Sequence, residues 1–98
     1  MKYVMLYEST PEGLAKARAN FPAHRARLDE FHARGTLLLA GPLMEPDGPL
    51  ARTAIGVFTS REAAEEFISD DPFVLNGVVA KWTVNEWNEV LAQPTAAE

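Results

Sequence analysis

From Tyr3 to Tyr7 every position is apolar or aromatic, in the order Tyr-Val-Met-Leu-Tyr. An amphipathic helix would interrupt such a run with polar residues every three or four positions, so the pattern predicts a strand buried on both faces. Ser9-Thr10-Pro11-Glu12 then reads as a helix start: Thr10 suits the cap, Pro11 the first helical position, and Ser9 with Glu12 has capping-box spacing. The expected helix covers Glu12–Asn20 and breaks near Pro22, which lacks a backbone donor and crowds the preceding turn. A second segment, Pro22–Arg34, restarts it with Phe21, His24, Leu28 and Phe31 on one stripe, and Gly35 ends it.

The second half repeats this alternation. Thr36–Ala40 is an apolar strand stopped by Gly41-Pro42, and Leu43–Ala51, with Pro46, Asp47, Gly48 and Pro49, is a hairpin-type loop. Arg52–Phe58 is a third strand. Thr59 and Ser60 precede a helix, with Thr59 the better cap, whose inward residues are Ala63, Ala64, Phe67 and Ile68. Asp71 precedes Pro72 and so ends that helix, Pro72–Asn76 suits one short helical turn, and Asn76-Gly77 is a turn signal. Val79–Trp87 alternates, with Ala80, Trp82 and Val84 on one face and Lys81, Thr83 and Asn85 on the other.

The order β-α-β-β-α-β predicts an α+β, ferredoxin-like fold: a four-stranded antiparallel sheet of order 4-1-3-2 with both helices on one face. One domain is expected over residues 1–92, with residues 93–98 as a polar tail. Strands one to three are apolar on both faces, yet two helices cover only one. A second copy packed sheet against sheet is therefore the expected partner, giving a homodimer.

Composition narrows the function classes. The formal charge of −5 over 98 residues argues against nucleic-acid binding, which needs a basic footprint. Without cysteine there is no disulfide, thiolate nucleophile or Cys-ligated metal. No apolar run is long enough to span a bilayer and no signal-peptide pattern opens the chain, so a cytoplasmic protein is expected.

Two residues carry the expected chemistry. His24 lies on the apolar stripe, and if Pro22 opens its helix, the helix dipole and partial burial favour a neutral imidazole suited to act as a base. Asp71 is an N-cap before Pro72, its carboxylate satisfying amides near Phe73 and Val74 while keeping lone pairs to orient an imidazole. The competing readings are a core histidine bonded to backbone and a carboxylate that only caps. Asp70 is the backup, expected in solvent. His32, eight residues from His24, lies about 12 Å away along a straight helix, too far to share a metal, and no metal site or cofactor is expected. Lys16, Arg18, Arg25, Arg27 and Arg34 make the first helical region basic, and Glu62, Glu65, Glu66 and Asp70 make the second acidic. These are solvated, mutually attractive surfaces, or Arg18 or Arg25 draws an anionic substrate. Tyr3, Tyr7, Trp82 and Trp87 are core or interface aromatics, some able to wall an apolar pocket.

Pro22-Ala23-His24, Ala40-Gly41-Pro42 and Asp71-Pro72-Phe73, in that order and at these separations, resemble the YCII-related family over roughly Met1 to Val90. The resemblance implies a ferredoxin-like fold, a dimeric α/β barrel and a His-Asp active site, falling on His24 and Asp71. It places muconolactone-isomerase-like enzymes and a dehydrochlorinase of hydroxylated aromatic rings nearby. Phe21 stands where the family often has Arg, and Asn85-Glu86-Trp87 replaces a more basic ending, which implies a different or less charged ligand.

The expected activity is cofactor-independent acid–base chemistry on a small, cyclic or aromatic substrate. His24 would move the proton and Asp71 fix its tautomer. Amides near Gly41 would stabilise an oxyanion, and Gly41, Pro42, Phe73 and Arg25 would bind substrate in a cleft between helices and sheet. The alternative is a non-catalytic small-molecule-binding or accessory dimer module.

Overall fold

The computed structural model describes residues 1–46 and 51–93. Most of the expected Leu43–Ala51 loop is therefore described, but its centre lies outside, as does nearly all of the expected tail. The elements run β1 (Lys2–Glu8), α1 (Pro11–Leu14), α2 (Ala17–Ala33), β2 (Leu37–Pro42), β3 (Thr53–Phe58), α3 (Arg61–Ser69), α4 (Pro72–Leu75) and β4 (Lys81–Trp87). The sheet order is β2-β3-β1-β4 with every neighbour antiparallel, the expected order read from the other edge.

Register sorts the side chains. Met5 faces Gly56 and Val84, and Tyr7 faces Ala54 and Trp82. This face lies under the helices, where Met5, Tyr7, Leu37 and Phe58 join Phe31, Ala64, Phe67 and Ile68 in the core. Phe31, Phe58 and Phe67 are almost fully buried and meet at edge or tilted angles, with centroids 5.3 and 5.6 Å apart. The opposite face carries the rows Leu39–Val57–Val4–Asn85 and Gly41–Ile55–Leu6–Thr83.

Four local expectations change. The first helix breaks at Ala15-Lys16, not at Pro22, which sits inside α2. The cause is tertiary: Gly13 packs so closely on Gly77 and Val78 that a Cβ there would lie 2.5 Å from the Val78 carbonyl oxygen. Lys16 N–H closes a tight turn onto the Gly13 carbonyl at 2.9 Å, and α2 begins afresh at Ala17. His24 is thus well inside α2 rather than in a first turn, so the dipole argument for its protonation state does not apply. Second, Thr10 caps α1 by accepting from Gly13 N–H at 3.1 Å, so the Ser9–Glu12 spacing is not used as a capping box. Third, Ser60 rather than Thr59 caps α3, accepting from Ala63 N–H at 3.1 Å. Thr59 is still held to the sheet side, its N–H donating to the Thr36 carbonyl at 2.9 Å. Fourth, Gly41 and Pro42 belong to β2 instead of ending it; β2 is an edge strand, where a missing donor is tolerated.

The remaining punctuation follows the local rules. Gly35, at φ +82°, closes α2 with its N–H on the His32 carbonyl and Thr36 N–H on the Phe31 carbonyl. Ala63, Ala64, Phe67 and Ile68 are all buried. Arg27 fastens α2 to α3 by donating to the carbonyls of Phe67 (2.9 Å) and Glu66 (2.7 Å), which lie in the last turn of α3 where carbonyls lack helical partners. Arg34 adds an ion pair to Glu66 at 3.1 Å and one to Glu30. The basic and acidic helix surfaces therefore do meet.

Candidate functional site

Asp71 caps α4: Pro72 holds the first helical position, and Phe73 N–H donates to Asp71 Oδ1 at 3.1 Å. The cap is wholly buried, at 0% exposure. Its cost is met by three donors. Besides Phe73 N–H, Tyr7 Oη–H donates to Oδ2 at 2.7 Å and His24 Nδ1 lies 2.7 Å from Oδ1. Since the carboxylate accepts from both Tyr7 and Phe73, the hydrogen of the His24 contact belongs on Nδ1. The neutral imidazole then has a free lone pair on Nε2.

His24 and Asp71 are therefore brought together from α2 and from the turn before α4. Among the described residues Nε2 has no hydrogen-bond partner, and no buried side-chain nitrogen or oxygen lacks one, so Nε2 is open to solvent. The ring lies face to face with Phe73, centroids 3.8 Å apart and planes within 2°, and edge-on to Phe67 at 6.2 Å. Tyr7 is held protonated: burial first, then the charge of Asp71 and the hydrogen bond to it, push its pKa far above the ordinary phenol value.

Beside His24 is a cavity of about 310 Å³ between the helices and the sheet. Its walls are mostly apolar, including Met5, Leu14, Phe21, Leu28, Ala54, Phe73 and Val79. Polar groups on it are few: His24, Tyr7, Ser9 and Arg52. Gly41, Pro42 and Phe73 line it as expected of substrate contacts. The amide of Gly41 is not available as an oxyanion donor. Gly41 pairs with Ile55 two steps from the bonded Leu43–Thr53 rung, which puts its N–H in the β2–β3 ladder.

Other expected residues lie elsewhere. Arg25 is outside the cavity, its Nε 3.1 Å from Asp29 Oδ1 one helical turn on. Arg18 and Asp70 are exposed and do not line the cavity. His32 is exposed and its Nδ1 is 2.9 Å from the Leu37 carbonyl oxygen. Three polar residues of the site were not singled out by sequence reasoning: Tyr7 as a partner of Asp71, and Ser9 and Arg52 on the cavity wall. The strand pattern holds a signal for Tyr7, which is the last inward-facing position of a central strand, where side chains border the cleft.

The YCII-related domain matches residues 1–88. Protein YciI of Escherichia coli O6:H1 is 35% identical over 97 residues, covering 92% of this chain and 99% of that protein. An uncharacterized protein of Haemophilus influenzae is 32% identical over 97 residues, with the same coverage of 92% and 99%. Among solved structures, 5-chloro-2-hydroxyhydroquinone dehydrochlorinase from Burkholderia phenoliruptrix AC1100, in complex with 2,5-dihydroxybenzoquinone, superposes with a TM-score of 0.75 at 21% identity, covering 90% of this chain and 94% of that one. A cofactor-independent oxygenase from Streptomyces nogalater superposes with a TM-score of 0.51 at 19% identity, covering 94% and 96%. At these identities the likeness to the two structures is one of fold.

Proposed function

The chain belongs to the YCII-related family, and we propose that His24 serves as the proton-transferring group of a cofactor-independent enzyme acting on a small cyclic or aromatic substrate. The observation that carries this reading is the division of the imidazole. Nδ1 is committed to a buried carboxylate at 2.7 Å, and Nε2 is left open beside an apolar hollow of one-ring size. A histidine serving only the core would have its polar atoms satisfied by backbone.

The chemistry follows from that division. Nε2 takes a proton from a substrate O–H or acidic C–H, and the resulting imidazolium faces Asp71 Oδ1. Tyr7 and Phe73 N–H keep the carboxylate in place while the charge forms. The electron pair left on the substrate becomes an enolate or phenolate. In an elimination that pair expels a leaving group; in an isomerisation the proton returns from Nε2 to another carbon. Apolar walls keep water from the charged intermediate and strengthen the His24–Asp71 attraction. The structural neighbour that is a dehydrochlorinase makes elimination from a hydroxylated ring the first reaction to try.

The working unit in this proposal is a homodimer, two sheets packed on the faces away from the helices as a dimeric α/β barrel. Its support is the apolar character of that face, with Val4, Leu6, Ile55 and Val57 from the central strands and Leu39 and Trp87 exposed at 61% and 47%.

The test is hydrogen exchange and chloride release from chlorinated and unchlorinated hydroxyquinols in deuterated water, comparing wild type with His24→Asn. Turnover by the wild type, lowered about 10²- to 10⁴-fold in the variant at nearly unchanged melting temperature, is the expected result. Ligands that bind the wild type without exchange would favour the accessory-module reading. A large loss of stability in the variant would mark His24 as a core residue.

A further inference from the structure

The cavity has a second polar feature that proton transfer at His24 does not use. The chain has six arginines. Four are anchored: Arg25 to Asp29, Arg27 to the Glu66 and Phe67 carbonyls, Arg34 to Glu30 and Glu66, and Arg61 to the Val84 carbonyl. Arg18 is exposed and away from the cavity. Arg52 alone among the six lines the cavity, and among the described residues its guanidinium has neither an ion-pair nor a hydrogen-bond partner. Among the described residues no Asp or Glu lines the cavity. In a chain of net charge −5, this hollow therefore carries at its wall one cation that no described residue neutralises.

The sheet sets where the backbone of Arg52 lies. Ser9 N–H donates to the Arg52 carbonyl at 2.8 Å, which ties the residue just after β1 to the residue just before β3. This rung is two residues beyond the Tyr7–Ala54 rung, about 7 Å along the strands. Tyr7 in turn holds the carboxylate that holds His24. Arg52 and Tyr7 therefore stand at neighbouring levels of the same strand pair, and both line the cavity. Between the two ends the walls are apolar.

We propose that the cavity selects a ring compound with an anionic substituent, a carboxylate in the first instance. Arg52 and the Ser9 hydroxyl receive the anion, and the acidic proton lies against His24. This rests on the reading of the cavity as a substrate site and names the class of substrate it admits. It also relocates the positive charge expected of Arg25. Phe21, which lines the cavity where relatives are expected to carry Arg, leaves the His24 side apolar, and Arg52 supplies charge at the other end.

The experiment is a pair of binding titrations by NMR, with 4-hydroxybenzoate and its neutral counterpart 4-hydroxybenzamide as probes. Each is run on wild type, Arg52→Gln and Arg52→Lys. The wild type is expected to bind the carboxylate about five-fold more tightly than the amide, a preference that shrinks with added salt. Arg52→Gln should lose the preference while keeping its affinity for the amide, and Arg52→Lys should keep part of it. Equal binding of the two probes by the wild type, no binding of either at millimolar concentration, or a preference that survives Arg52→Gln would each overturn the proposal. The readout is binding, so failure here leaves proton transfer by His24 standing. Conversely, the preference should persist in His24→Asn whether or not the protein proves to be an enzyme.

Discussion

His24 and Phe73 lie face to face, ring planes 2° apart and centroids 3.8 Å apart, while Asp71, two residues before Phe73, grips the edge of the same imidazole at Nδ1. One short helix and its cap therefore fix the ring in both orientation and tautomer. Pro72 between them suits this role, because its restrained φ presents the cap and the stacking ring from one rigid turn.

Asp71→Asn tests the edge contact. Asparagine keeps the shape but offers one acceptor oxygen in place of two, and its NH₂ must face either Tyr7 or His24. We expect a destabilisation of about 1–3 kcal/mol from the disturbed buried network. Long-range ¹H–¹⁵N spectra should show the neutral His24 of the wild type as the Nδ1–H tautomer and that of the variant as a mixture. An unchanged tautomer in the variant would mean that Asp71 is only a cap.

Tyr7→Phe tests the other oxygen, and its signature is a pH dependence. The folded pKa of Tyr7 is raised above its unfolded value, chiefly by burial and then by Asp71. Its contribution to stability is thus fully present below the free phenol value of about 10 and is lost as pH rises above it. Above that pH the unfolded state releases a proton that the folded state keeps, a slope of about 1.4 kcal/mol per pH unit. Urea unfolding between pH 9 and 11 should show the wild type falling more steeply than Tyr7→Phe, the difference in slope being small at pH 9 and approaching that amount by pH 11. Parallel curves would remove Tyr7 from the network.

The elements were legible where the controlling contact is local. Thr10 and Asp71 cap because each precedes a proline at the first helical position, and Gly35 ends α2 because only a residue at ease with positive φ closes that turn. The same rules misplaced the break in the first helix. Pro22 is the stronger local signal, but the break follows from the approach of Val78 to Gly13, more than sixty residues away. Ser60 takes the cap from Thr59 for a similar reason, a sheet-side bond to Thr36. In the site, His24 and Asp71 were readable by residue type and setting. Tyr7 was not separable from Tyr3 until register placed it at the cleft end of β1. Arg52 was hidden by more conspicuous arginines on α2, since no helical or strand period reports which cation borders a hollow.

Pro22 lies inside α2, where it removes the bond that residue 22 would donate to the Arg18 carbonyl. It is exposed and its ring contributes nothing to the core. Pro22→Ala should therefore stabilise the fold, by about 1–3 kcal/mol and a rise of several degrees in melting temperature, partly offset by greater freedom of the unfolded chain. A drop in melting temperature would show that the proline shapes the helix where His24 sits.

The last prediction concerns the sheet face away from the helices. Leu39 belongs to the row Leu39–Val57–Val4, so a change there tests that face without touching the core beneath the helices. Because Leu39 is 61% exposed, a glutamate at its position would be solvated in a monomer and cost little. In a dimer the same charge would be buried against apolar side chains without a partner, a cost of several kcal/mol that association would not overcome. Light scattering coupled to gel filtration should give twice the chain mass for the wild type and the single chain mass for Leu39→Glu, with the circular dichroism spectrum retained. A wild type that is already monomeric, or a variant that remains dimeric, would show that another surface governs assembly. The cavity offers a cross-check, since its walls come mainly from α1, α2, α4, the loops beside them and the helix side of the sheet. His24→Asn should therefore leave the mass unchanged, and loss of the dimer in that variant would couple the two faces of the sheet.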